Sequence, residues 1–233
     1  MQQTTRTTEF ASGIPTGSAK LHRFLGVELE IAPGVLVPRE ETELLGLTAI
    51  NILAKEPTGP LVIDMCCGSG NLGLAVAGAI ANARVLGADL TDETVDLARR
   101  NVERLGFDLR VKIFQGDLFD AMNGQALTGK VDMIICNPPY ISARRLEDGL
   151  SHLLVNEPRE AFDGGPFGIS ILQRVVRDSV PFLRPGGILT FEFGEGQHQQ
   201  VAHLLSRAAA YDQISFVDNE AGIPRVAVAR KQV

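Results

Sequence analysis

Asn137, Pro138, Pro139 and Tyr140 follow directly on an apolar run, VDMIIC at residues 131–136. An amide, two prolines and an aromatic ring at the tip of a buried strand suit one kind of chemistry. The nitrogen of an amide or aromatic amine has a conjugated lone pair and two N–H groups that need acceptors. The Asn137 side-chain carbonyl can take one N–H and the Pro138 main-chain carbonyl the other. The nitrogen can then pyramidalise and present its lone pair. Pro138 and Pro139 have fixed φ and no N–H, so these acceptors stay aimed without an entropy loss during reaction. The Tyr140 ring can stack on a flat acceptor group. The plainer alternative is that the prolines stiffen a loop, Asn137 caps it and Tyr140 packs. No general base accompanies the tetrapeptide. His22, His152, His198 and His203 lie away from the strand ends and receive no role.

A second motif lies upstream, DMCCGSGNLG at residues 64–73. Gly68, Gly70 and Gly73 match G-x-G-x-x-G, and Asp89, nineteen residues beyond Gly70, ends the next apolar run. Glycines admit a ligand close to the backbone, and an acid at the second strand end accepts from ribose hydroxyls. The motif indicates an adenosine cofactor without separating S-adenosylmethionine (SAM) from NAD. Two acids favour SAM. Asp64 lies inside the strand end, where a carboxylate could receive the cofactor's ammonium group, directly or through water. A pyrophosphate at the helix N-terminus would be repelled by it. Asp117, in QGD at the third strand end, could accept from an adenine amino group while the Leu118 N–H reaches a ring nitrogen. A simple turn after Gly116 is the alternative role for Asp117.

Regular elements must carry these residues. Val27, Leu29 and Ile31 alternate with polar neighbours and predict a strand; APG is a turn, and VLV at 35–37 predicts a second short strand. A helix starts at Glu40. Strand and helix then alternate from 61 to about 210, with an amphipathic helix ending at Gly106 and an irregular piece over about 143–168. Two strands with no helix between them close the chain. Alternation implies a mainly parallel sheet covered on both faces, and the closing pair adds an antiparallel hairpin. The expectation is α/β: a three-layer, Rossmann-like, seven-stranded sheet of the class I SAM methyltransferase kind, preceded by a small β-hairpin. The expected segments are a flexible tail at 1–20, a hairpin and helix lead-in at 21–56, and the SAM-dependent domain at 57–233.

With 233 residues, 45% of them hydrophobic, the chain can fill one core. Its net charge of −6 gives no support to a polyanion partner such as a nucleic acid. Cys66, Cys67 and Cys136 form neither a disulfide framework nor a C-x-x-C pair, so buried thiols in a reducing, cytoplasmic compartment are expected and no metal site is. The N-terminus lacks an apolar signal core, and no run approaches the ~20 apolar residues of a membrane span.

On these residues the chain resembles the HemK-type protein-glutamine N5 methyltransferases, which modify the Gly-Gly-Gln glutamine of peptide release factors. The likeness covers about residues 22 to 231. GVELEIAPGVLVPREETELL is similar to the family's hairpin and Pro-Arg-Pro-x-Thr-Glu segment, DMCCGSG to its glycine loop and CNPPYIS to its catalytic motif. NEPREAFDGGPFGI is similar to its Glu-Pro loop, and GIPRVAVARK to its last strand. The resemblance implies that Asn137 and Pro138 hold the acceptor amide, that Tyr140 packs on it, and that Pro139 borders it. It implies cofactor contacts from Cys66, Cys67, Gly68, Ser69 and Gly70, and from Asp89, Leu118 and Asn137. Arg39, Thr42 and Glu43, with Glu157 and Pro158, fall on the substrate side. Arg39 and Glu43 also have the spacing of an ordinary helix ion pair.

Cys66 stands where the family has the first glycine of its loop, and Glu40 where it has the second proline of Pro-Arg-Pro. The family's N-terminal helical docking domain has no counterpart in the sequence, which leaves two expectations: a partner subunit supplies docking, or the acceptor is a small-molecule amide, guanidine or amine. A nucleic-acid adenine methyltransferase, an NAD-dependent oxidoreductase and a silent SAM-binding scaffold are the further alternatives.

Overall fold

Two residues set the hairpin that opens the described chain. The computed structural model describes residues 20–56, 59–148 and 157–233. In it β1 (Lys20–Phe24) and β2 (Val27–Ile31) pair antiparallel around Leu25 and Gly26. Both turn residues have positive φ, 42° and 88°, the backbone of a tight two-residue hairpin turn that glycine enters without a Cβ clash. This corrects the expected strand at 35–37. The Leu25-Gly26 turn gives β2 its partner on the N-terminal side, and residues 35–37 run on without strand structure as a buried Val35 and a wall of the site. The tail expected at 1–20 lies outside the described residues apart from Lys20, as do His152 and the middle of the irregular piece.

α1 (Glu40–Leu53) buries Thr42, Leu45, Ala49 and Leu53, a three-to-four-residue spacing that makes one inward stripe. The sheet follows: β3 (Leu61–Met65), β4 (Arg84–Asp89), β5 (Val111–Gln115), β6 (Val131–Cys136), β7 (Leu183–Glu192), β8 (Tyr211–Asp218) and β9 (Pro224–Lys231). Their spatial order is β5-β4-β3-β6-β7-β9-β8, and β9 alone runs against the rest. The connecting helices are α2 (Asn71–Ala79), α3 (Asp92–Leu105), α4 (Ala143–Asp148), α5 (Ser170–Asp178) and α6 (His198–Ala208). α3 is capped by the Thr91 side chain at its start and by Gly106, at φ 67°, at its end.

Alternate residues of each strand feed two cores. Ile63 and Met65 join Leu172 and Val175 of α5 and Val201 and Leu205 of α6 on one face. Val62 joins Leu45 of α1, Leu72 of α2 and Val102 of α3 on the other, together with Phe24, Val27 and Leu29 of the hairpin. Strand order reverses at β3, which has β4 on one side and β6 on the other, and the carboxyl ends of such strands frame a crevice. Register then places the tips: Met65 pairs with Cys136 and Cys136 with Phe191, so Asn137 emerges beside Glu192. Among the described residues no helix is long and apolar enough to cross a membrane, and no cluster of His, Cys, Asp and Glu could hold a metal ion.

Candidate active site

The loop from β3 to α2 is wound tightly. Gly70 N–H donates to the Cys67 carbonyl at 2.7 Å, and Cys67 N–H to the Ala88 carbonyl at 3.0 Å. Gly68 N–H is held by Asp89 Oδ2 at 2.7 Å, while Asp89 Oδ1 accepts from Leu90 N–H and the Thr94 hydroxyl. A cavity of about 310 Å³ opens here, lined by Cys66 and Gly68, by Asp89 and Thr91 at the β4 tip, and by Gly116, Asp117 and Leu118 after β5. Gly116 permits close approach: a Cβ there would lie 2.8 Å from Ala121 Cα. Cys66 and Leu118, two non-glycine wall residues, have positive φ of 58° and 50°. Such backbone carries strain on the order of 1–3 kcal/mol per residue and gathers at functional sites.

Asp64 is buried behind this wall. Its Oδ2 accepts from Gly73 N–H at 2.7 Å, and Oδ1 has no partner. Burial pushes its carboxyl up to about 7; the Gly73 bond pulls against that, and the Asp89 charge adds to it.

A second cavity of about 560 Å³ lies on the other side of the Asn137 tip, lined by Arg39, Glu40, Glu41, Pro138, Tyr140 and Glu192 among others. Leu36, Asn137, Pro139 and Ala161 belong to both cavities. Asn137 Nδ2 donates to Thr42 Oγ1 at 3.1 Å. Among the described hydrogen bonds, Asn137 Oδ1 and the Pro138 carbonyl accept nothing from the protein. The two oxygens read from the sequence as acceptors are thus available.

Behind the tip runs a buried polar network. Tyr140 OH donates to Glu192 Oε1 at 2.8 Å, and Arg225 Nη2 reaches Tyr140 OH at 3.3 Å and Glu192 Oε1 at 3.6 Å. Burial, then the Glu192 carboxylate, hold the Tyr140 phenol well above its ordinary value. Burial likewise raises Glu192, opposed by Tyr140, Thr42 and Arg225, which favour its charged form. Gln197 ties the loop down, donating to the carbonyls of Tyr140 at 2.8 Å and Gly168 at 3.2 Å.

The residues read from the sequence therefore separate into two groups. Cys66, Gly68, Asp89, Asp117, Leu118, Asn137, Pro139 and Pro158 line the first cavity, and Arg39, Asn137, Pro138, Pro139 and Tyr140 the second. Asp117 also pairs with Arg174 of α5 at 2.9 Å. The others stand off these walls. Cys67 is buried against Gly87, Ser69 is fully buried with its carbonyl on Asn101, and Gly70 caps α2 at φ 82°. Thr42 is buried under Asn137 and holds its amide. Glu43 lines neither cavity, and Arg39 bonds Glu157 at 2.5 Å in place of the helix pair expected with Glu43. Glu157 also accepts from Val37 N–H at 3.0 Å, so it latches the α1 lead-in to the loop after the prolines. Glu192, Arg225 and Gln197 escaped the sequence reading. A lone acid ending an apolar strand, as at Glu192, was the signal on offer.

Comparison with known proteins identifies the family. A family model described as "Methyltransferase small domain" matches residues 48–169. The release factor glutamine methyltransferase of Gloeobacter violaceus is 34% identical over 87% of this chain and 69% of its own. The 4-amino-L-phenylalanine/4-methylamino-L-phenylalanine methyltransferase of Streptomyces pristinaespiralis is 34% identical over 82% of this chain and 65% of its own. The crystal structure of the release-factor-specific protein-(glutamine-N5) methyltransferase of Alicyclobacillus acidocaldarius shares the fold, with a TM-score of 0.51 and 24% identity over 88% of this chain and 100% of that one. The chain belongs to the methyltransferase small domain family, within its HemK-type branch.

Proposed function

We infer that the protein transfers a methyl group from S-adenosylmethionine to a planar nitrogen held at Asn137 and Pro138, and that this nitrogen is the side-chain amide of a glutamine in a protein such as a peptide release factor. One observation carries the reading: two cavities of different character meet at Asn137. The first fits the cofactor. Asp89 presents a carboxylate for ribose hydroxyls, and Cys66, Gly68 and Leu118 offer a close backbone wall; Asp64, behind that wall, keeps a buried Oδ1 without a partner. When bound there, SAM supplies an electrophilic methyl group.

The chain's own residues do the positioning. Asn137 Oδ1 and the Pro138 carbonyl accept the two N–H groups of the acceptor. Thr42 keeps the Asn137 amide from turning over, and Glu192 fixes the Tyr140 hydroxyl so that its ring is held for packing. Preorganised acceptors of this kind do their work without rearrangement in the transition state.

A second reading has its own support. The acidic lining of the second cavity and the relationship to an enzyme named for an aromatic amino acid amine favour a small-molecule amine acceptor. The deciding experiment offers the purified protein methyl-labelled SAM with intact release factor and, separately, with 4-amino-L-phenylalanine. Label on the release factor glutamine is the expected result. Label only on the amine replaces the glutamine reading with the second, and label on neither removes both.

A further inference from the structure

The cavity beyond Asn137 gathers negative charge around one unsatisfied carboxylate oxygen. Its charged lining residues are Arg39, Glu40, Glu41 and Glu192. Arg39 is engaged by Glu157. Arg225 stands 3.6 Å from Glu192 and 3.7 Å from Glu41, one guanidinium shared between two carboxylates, and Glu40 has no ion pair among the described residues. Three lining carboxylates set against Arg225 leave two formal negative charges in excess.

Acidity alone would mark only a solvated rim. Glu192 is different, because it is 1% exposed and its Oε2 makes no hydrogen bond of ordinary geometry, although the Thr42 hydroxyl stands near enough to favour the charged form of the carboxylate. A buried carboxylate oxygen without a donor is destabilising. The donor can come from the cavity that Glu192 borders. At a buried site attraction for a cation is also stronger than in water. Glu40 and Glu41 are exposed at the mouth.

We propose that this cavity seats an ammonium or guanidinium group of the methyl acceptor against Glu192, with Glu40 and Glu41 at its rim, so that the acceptor carries a positive charge beside its reacting nitrogen. The proposal rests on the methyl-transfer reading above and narrows its acceptor class. The charge can come from an amino or basic group flanking a glutamine in a polypeptide, or from the amino group of a small molecule. The recognition at Glu192 is the same in both.

The test is calorimetric titration of the full chain saturated with S-adenosylhomocysteine. The probes are two matched pairs: L-glutaminamide with its N-acetyl derivative, and 4-amino-L-phenylalaninamide with its N-acetyl derivative. Within a pair a charged α-ammonium is exchanged for a neutral, bulkier acetamide, and the carboxylate variants separate the effect of charge from that of bulk. The ammonium member of at least one pair is expected to bind about 10-fold more tightly, and the pair that does so identifies the source. Glu192→Gln should bring the ratio to within about twofold, and Glu41→Gln, an exposed change that removes one partner of Arg225 but keeps its contacts with Tyr140 and Glu192, should lower it by about threefold. Equal affinities within both pairs, no binding by any probe, or a preference untouched in Glu41→Gln overturns the proposal. Saturation with S-adenosylhomocysteine is measured first. Its failure sinks the methyl-transfer reading itself, whereas its success without a charge preference sinks only the acceptor class.

Discussion

The two cavities that meet at Asn137 are assembled over different distances along the chain. The floor of the first is built on three successive strand ends and the loops just after them, around Met65 to Gly68, Ala88 to Thr91, and Gly116 to Leu118, and it is closed from farther off by Leu36, Asn137, Pro139 and the loop from Pro158 to Asp163. Each piece of the floor is a local event, a strand reaching the sheet edge and turning through residues suited to close backbone approach. The second draws on Leu36 and Arg39 to Glu41 before the sheet begins, Asn137 to Ile141 at its centre, Ala161 and Phe162 beyond, and Glu192 at the end of β7. Its polar groups are held by contacts between remote segments, such as Asn137 with Thr42 and Arg39 with Glu157. The floor of a cofactor site can therefore be written in short motifs, while its outer wall and the whole of an acceptor site of this kind exist only once the fold has formed.

Substitutions can break or sharpen that contrast, and the largest effect belongs to the junction. Asn137→Ala removes one acceptor for the substrate nitrogen, and kcat should fall about 10²-fold or more. S-adenosylhomocysteine affinity should change far less. Steady-state kinetics beside an equilibrium titration would expose a parallel loss in both, which would merge the two regions into one.

Next comes the support under the junction. Thr42→Val leaves the Asn137 amide without its oxygen partner and free to turn over. A fall in kcat of about 10-fold, equivalent to about 1.4 kcal/mol, is expected with cofactor binding unchanged. Thr42→Ser should restore the rate, because the hydroxyl and not the methyl holds the amide. A serine variant as slow as the valine one contradicts this role.

Asp64 tests the first region through stability. Its folded pKa of about 7 lies above its usual value of 3.8, so folding favours the neutral acid. The contribution is full at pH below the unfolded value and is lost as pH rises through about 7. Thermal melts of the unliganded protein should therefore show Tm declining from pH 4 to pH 8, and Asp64→Asn should flatten the part of the decline that ends near neutrality. An unchanged slope in the variant would assign the decline to other groups, Glu192 among them.

The smallest effect is expected at Cys66. Its positive φ carries strain of about 1–2 kcal/mol, and glycine's extra unfolded-state freedom offsets about 0.4–1 of it. Cys66→Gly should raise Tm by about 2 °C. A lower Tm would mean that the Cys66 side chain contributes packing beyond the strain it imposes.

Most of the architecture was legible in the sequence because its period changes openly between strand and helix. The glycine loop, Asp89, Asn137 and the closing strand pair sit where alternating elements must bring them. The hairpin was misread because Leu25-Gly26 is a weaker turn signal than the Ala-Pro-Gly that follows β2, yet the tighter turn takes β2 and leaves 35–37 to the site. Glu192 and Arg225 were illegible for another reason. Each reads alone as a charged residue at the end of a mostly apolar strand, and only the register of β6, β7 and β9 brings them together behind Tyr140.

The division of labour at Asn137 is tested most directly by a crystal of the protein with S-adenosylhomocysteine. The expected result is ligand density between Gly68, Asp89 and Leu118, with the sulfur facing Asn137 and the Glu192 cavity left open for the acceptor. Density in the Glu192 cavity, or a sulfur turned away from Asn137, would contradict the account.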